Sequence, residues 1–112
     1  MELAWQQALG LWHKAMVSAL NHDLPDLTQR QFALLLQVYL GPPPHTVRGL
    51  AQTLNMSKPA VTRAVDRLTT EGFVQRKTDQ DDRRSVLIGR TAKGSAFLRD
   101  FGDMVVEIAG ER

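Results

Sequence analysis

Side chains able to do chemistry concentrate in two stretches of this sequence. The first is Ser57-Lys58-Pro59-Ala60-Val61-Thr62-Arg63-Ala64-Val65-Asp66-Arg67-Leu68. Wound as a helix, it places Val61, Ala64, Val65 and Leu68 at i, i+3, i+4 and i+7 on one apolar stripe. Thr62, Arg63, Asp66 and Arg67 then face away from that stripe, where they can read something. The second stretch, Thr78 to Arg84, has no apolar residue and carries Asp79, Asp81, Asp82, Arg83 and Arg84. Arginine suits two recognition chemistries. Paired hydrogen bonds to guanine contribute about 1–3 kcal/mol of discrimination, and phosphate contacts add salt-dependent affinity. For Arg63 and Arg67 both chemistries stay open, beside the plain alternative of solvated surface arginines. The three carboxylates would repel a polyanion unless they pair with Arg76, Arg83 or Arg84 and fix the loop's shape; a solvated acidic turn is the plain alternative there.

The net charge of +2 over 112 residues hides an uneven distribution. Residues 58–99 hold ten basic and five acidic groups, an excess of +5 (10 − 5), whereas residues 100–112 hold one and four, an excess of −3 (1 − 4). A basic middle on a near-neutral body is the footprint expected for a polyanion partner. Other chemistries are excluded. With no cysteine there is no disulfide, thiolate metal site or thiol nucleophile. His13, His22 and His45 lack ligand-like spacing, so no metal and no cofactor is expected. Without a glycine-rich phosphate loop or a carboxylate pair in an apolar run, the chain does not read as an enzyme. His13 and Lys14 interrupt the apolar positions of the first segment, which is neither a signal peptide nor a membrane span, and a cytoplasmic location is expected.

The elements that must position these residues follow from periodicity. Trp5, Leu9, Trp12, Met16 and Ala19 alternate spacings of four and three on a first helix from Glu2 to about Leu20. This seam is suited either to burial against a second subunit or to packing on the chain's own C-terminal helix. Thr28 offers a cap for a second helix, apolar almost all round from Phe32 to Leu40 and so expected to be central. Gly41-Pro42-Pro43-Pro44 ends it. Val47, Leu50, Ala51 and Leu54 form a short amphipathic helix, and Ser57 caps the next, its hydroxyl accepting from Ala60 because Pro59 has no N–H. Glu71-Gly72-Phe73 closes that helix. Two such helices with a short turn between them make a helix-turn-helix. Val74–Lys77 and Ser85–Ile88 read as the two strands of a hairpin whose tip is the charged stretch. Thr91 then caps a final helix bearing Phe97, Phe101, Met104, Val105 and Ile108, a stripe suited to partner the tryptophan seam.

The fold expected is a single α+β domain over 1–112, mostly helical. It is a winged helix-turn-helix with a two-stranded wing; residues 28–90 form the DNA-binding region, and flanking helices in 1–20 and 91–112 form a dimer interface. Leu50-Ala51, Met56-Ser57, Val61-Thr62-Arg63, Val65-Asp66-Arg67-Leu68, Glu71-Gly72-Phe73-Val74, Asp82-Arg83-Arg84-Ser85 and Thr91-Ala92-Lys93-Gly94, in that order, resemble the MarR family of bacterial transcriptional regulators. The resemblance covers roughly Thr28 to Leu98. It implies a homodimer on a pseudo-palindromic double-stranded operator with half-sites about ten base pairs apart, usually repressing and often released by a small aromatic or anionic ligand. It also places Ser57, Lys58, Pro59, Thr62 and Arg63 on the recognition helix, makes Arg84 the wing arginine, and matches Asp66 to an aspartate that helps orient it. With Arg67 and Arg83 these are the candidate DNA contacts, and Asp66 and Asp82 are the candidate wing-orienting carboxylates. The dimer interface is expected at Trp5, Leu9, Trp12, Met16, Phe101, Met104, Val105 and Ile108, and an effector pocket at Trp12, His13, Met16 and Tyr39, for which plain core is the alternative. Two departures stand out. Arg90 takes a position that is usually apolar, so that an arginine stem would pack the wing's base, and one helix follows the wing where longer or additional ones are typical. A winged-helix module that binds an acidic protein is the alternative function.

Overall fold

A computed structural model describes residues 2–110. In order, the elements are α1 (Trp5–Asn21), α2 (Gln29–Leu40), α3 (Val47–Leu54), α4 (Lys58–Thr70), β1 (Val74–Thr78), β2 (Val86–Arg90) and α5 (Ala92–Gly110). Over the described residues they form two compact units, 27–96 and 2–26 with 97–110.

Within 27–96 each helix starts where its capping chemistry dictates. The Thr28 hydroxyl accepts from the Gln31 amide at 3.1 Å, and the Gln31 side chain accepts in return from the Thr28 amide at 2.9 Å. Thr46 caps α3 through Gly49 at 3.0 Å, a cap the sequence reading did not identify. Ser57 accepts from Ala60 at 3.2 Å, as the position of Pro59 requires. Helix α4 closes at Gly72, whose φ of +80° suits only glycine without strain. The Gly72 amide donates to Thr69 and the Phe73 amide to Leu68, each at 2.9 Å, satisfying two terminal carbonyls.

The four residues of the α4 stripe are all buried, against Leu34, Leu35 and Val38 of α2 and Leu50 of α3. Phe73, Val74 and Ile88 complete this core from the wing side. Helix α2 is central, as expected: from Phe32 to Tyr39 its residues are buried or half-buried, and only Leu40 at the last turn stands out, 80% exposed. The wing is a two-stranded antiparallel ladder running from Val74 opposite Arg90 to Thr78 opposite Val86. Strand β2 therefore starts one residue later than expected and continues to Arg90. The wing is tied to the α2–α3 connection by a bridge between Thr46 and Leu87 and by donation from the Ile88 amide to the His45 carbonyl at 2.8 Å.

Tyr39 fastens the base of the wing. Its hydroxyl donates to the Phe73 carbonyl at 2.7 Å and accepts from the Thr91 amide at 3.0 Å. Thr91 caps α5 through Gly94 at 2.9 Å and donates to the Gly72 carbonyl at 2.7 Å. Gly94 has no room for a side chain, since a Cβ there would run into the Tyr39 hydroxyl and the Phe73 carbonyl.

In the other unit, Ala15 is the buried residue of α1, and the Ser18 hydroxyl donates to the Met104 sulfur at 2.9 Å. The seam is not covered by the chain's own C-terminal helix. Trp5 is 71% and Trp12 67% exposed, and Leu9 and Met16 are exposed beside them. The expected pairing of the α5 stripe with the seam is thus corrected: Met104 meets α1 at Ser18, on a different face.

Candidate nucleic-acid interface

Burial of Val61, Ala64, Val65 and Leu68 turns the opposite face of α4 to solvent, where Lys58, Pro59, Thr62, Arg63 and Asp66 are exposed. Ser57 stands just ahead, its oxygen engaged by Ala60. Among the described residues Arg63 has no carboxylate partner. Arg67, one turn further on, pairs through Nε with Glu71 at 3.3 Å. The two arginines of this helix therefore differ, and only Arg63 keeps its whole donor set for a ligand.

Asp66 does not pair with Arg84. Its carboxylate takes the guanidinium of Arg76 on β1. Backbone geometry gives the reason. The chain leaves α4 through the tight Gly72 closure and enters β1 at Val74, bringing Arg76 back alongside the last turns of the helix, while Arg84 lies beyond the strand at the tip. Asp66 still links the helix to the wing, but through a strand residue.

At the tip the carboxylates organise backbone. Asp79 accepts from the Asp81 amide at 2.9 Å. Asp82 accepts from the Arg84 amide at 3.1 Å, from the Ser85 hydroxyl at 3.3 Å, and lies 3.5 Å from the Arg84 Nε. These are local aspartate turns, which short polar side chains favour. Asp82 thus outcompetes Asp66 for Arg84 because it is two residues away. The Arg84 side chain is nonetheless 95% exposed, and Arg83 is exposed beside it. At the base of the wing the Arg90 Nε donates to the Val38 carbonyl at 3.3 Å, and its guanidinium lies 5.6 Å from the Tyr39 ring centre, so an arginine does fill the usually apolar position.

The remaining candidates lie on α1, α2 and α5. Tyr39 has its hydroxyl committed to backbone, while Trp12, His13 and Met16 stand exposed on α1. Phe101, Met104, Val105 and Ile108 are half-buried on α5. The His22 Nδ1 lies 2.6 Å from the Ser18 carbonyl, and no group of three or more potential metal ligands occurs among the described residues. No helix among them is long and apolar enough to cross a membrane. Two features escaped sequence reasoning: Arg76 as the partner of Asp66, and a hollow of about 380 Å³ shared by Thr28, Arg30 and Gln31 at the start of α2 with Ser57, Ala60 and Arg63 at the start of α4. The capping signal at Thr28 marked the first rim of that hollow; the tertiary approach of the second had no local signal.

Residues 25–85, more than half of the chain and including both helices of the helix-turn-helix and the wing tip, match a family model described as MarR family. The chain belongs to the MarR family. MarR proteins are transcriptional regulators rather than enzymes, and the solved structures agree in fold. The chain is similar to MepR of S. aureus, determined as a DNA complex, with 22% identity over 94% of this chain and 77% of that one and a TM-score of 0.71. It is similar to the transcriptional regulator Tm0710 of Thermotoga maritima, with 25% identity over 94% and 66% and a TM-score of 0.67. It is also similar to the transcriptional repressor CouR bound to a 23-mer DNA duplex, with 26% identity over 90% and 66% and a TM-score of 0.68. In this MarR protein Asp66 pairs with Arg76 rather than with Arg84, and Arg90 packs against Tyr39.

Proposed function

We propose that this MarR-family chain is a sequence-specific DNA-binding regulator that acts as a homodimer on a pseudo-palindromic operator, as a repressor in the mode usual for the family. The observation that carries this reading is the division of α4: one face is wholly spent on the core, and the other presents Lys58, Thr62 and an unpaired Arg63 to solvent, beside a wing that projects Arg84. That arrangement suits a major-groove helix with a flanking contact from the wing. MepR and CouR, determined with DNA, support it. The exposed tryptophan seam supports the dimer, since apolar rows of this size are normally covered. Release by a small aromatic or anionic effector belongs to the same reading, with Trp12, His13 and Met16 as its candidate contacts. The site of action is the cytoplasm, with the DNA.

The test is selection of bound duplexes from a random library, followed by gel shifts with the selected sequence. Arg63→Ala should cost about 1–3 kcal/mol on the selected duplex and much less on a random one, because a base contact carries discrimination. Equal losses on both duplexes would reassign Arg63 to the backbone. Absence of any duplex binding at low salt, together with capture of an acidic protein by the same face, would replace the DNA reading.

A further inference from the structure

Arg30 and Arg63 come from helices well separated in sequence, yet both line the open hollow of about 380 Å³ where α2 and α4 begin. No carboxylate lines it, and among the described residues neither guanidinium has an ion-pair or hydrogen-bond partner. Elsewhere in residues 27–96 four further arginines are engaged, whereas the exposed Arg48 and Arg83 are not among the residues lining the hollow. Arg67, Arg76 and Arg84 each have a carboxylate, and Arg90 has a carbonyl and a ring. Two like charges left uncompensated around one polar hollow make it electropositive, and an oxyanion is the ligand that relieves the repulsion.

We propose that this hollow seats a phosphodiester of the operator backbone, with Arg30 holding it from outside the reading helix. The inference rests on the DNA-binding reading and deepens it by adding the start of α2 to the footprint. The hollow shares Ser57 and Arg63 with the reading face, so a duplex engaged by α4 brings its backbone past the same rim. The guanidinium fork matches two phosphate oxygens, and Arg30 is free to offer it. A backbone contact fixes register and carries no sequence information. Arg30 therefore acts equally on every duplex, which distinguishes it from Arg63.

The experiment measures fluorescence anisotropy on the selected duplex and on a random one over a range of salt, for the unaltered chain, Arg30→Ala and Arg30→Lys. Arg30 is exposed, so the variants keep the fold, and circular dichroism checks this. Loss of one phosphate contact should make the slope of log affinity against log salt shallower by about 0.9, or about eightfold weaker binding at 0.1 M salt, by the same factor on both duplexes. Arg30→Lys should keep the slope. A duplex with a single uncharged methylphosphonate linkage, moved along each strand, should weaken the unaltered chain at one position per half-site and leave Arg30→Ala unaffected there. Steep salt dependence in the unaltered chain with an unchanged slope in Arg30→Ala overturns the seat and leaves the DNA reading standing. No duplex binding by the unaltered chain overturns both. If inorganic phosphate, added at constant ionic strength, shifts the amide resonances around Arg30 while no neutral linkage matters, the hollow belongs to a free anion and the phosphodiester assignment falls.

Discussion

The two units of this molecule handle their apolar residues in opposite ways. Residues 27–96 bury eleven of the twelve hydrophobic core residues, from Leu34 to Ile88, and turn polar groups outward. Among the described residues, 2–26 and 97–110 bury Ala15 alone and expose Leu3, Trp5, Leu9, Trp12, Met16, Val17, Leu20 and Val106. The first unit has a closed core of its own, and the exposed face of its α4 is polar and basic. The second is energetically incomplete as a single chain, because burying a large aromatic side chain stabilises by several times what a surface ion pair contributes. On the proposed function, DNA recognition and subunit assembly would thus be divided between a closed core and an open apolar surface.

The comparison breaks most directly at the closed core. Leu35→Ala removes a fully buried side chain of α2, and the cavity should lower unfolding stability by about 2–5 kcal/mol, independent of protein concentration. Urea denaturation at two concentrations differing tenfold checks this. A loss below about 1 kcal/mol would mean that the core repacks and is less closed than it looks.

Trp12→Ala should have the complementary signature. The side chain is two-thirds exposed, so secondary structure should persist, while loss of an interface tryptophan typically costs about 2 kcal/mol or more of association. Sedimentation or light scattering should then show the dimer dissociation constant raised by about thirty-fold. An unchanged constant, or a concentration-independent loss of stability like that of Leu35→Ala, would place the seam in ordinary monomer packing.

How far the sequence could be read follows the same division. Ser57 with Pro59, the Thr28 cap, the Gly72 closure and the Thr91 cap were all legible, because each is completed by a partner within about five residues. The α4 stripe was legible for a related reason: one helix face is set by periodicity alone. What escaped depends on the angles between elements. Thr46 caps α3 and also bridges to Leu87, Asp66 finds Arg76 through the path of the chain after Gly72, and Arg30 joins Arg63 only once α2 and α4 are packed. Asp82 explains one failure well. A carboxylate two residues from Arg84 forms its turn with little loss of chain entropy, so it wins over a partner on a different element.

The smallest effect expected sharpens the closed unit's own machinery. Asp66 and Arg76 are both partly exposed, so their pair should contribute only about 0.2–1 kcal/mol to stability, measured as the coupling in a double-mutant cycle of Asp66→Asn and Arg76→Gln. Its greater effect should be on DNA binding. With Arg76 present, the carboxylate on the reading face is neutralised by a neighbour; with Arg76→Gln alone, that carboxylate faces the duplex uncompensated. Arg76→Gln should therefore weaken binding more than Arg76→Gln combined with Asp66→Asn, even though the double variant has lost more of the site. Anisotropy titrations of the three variants at low salt decide it. If the double variant binds more weakly than Arg76→Gln, Asp66 is itself a contact to DNA and the pair with Arg76 is incidental to the reading face.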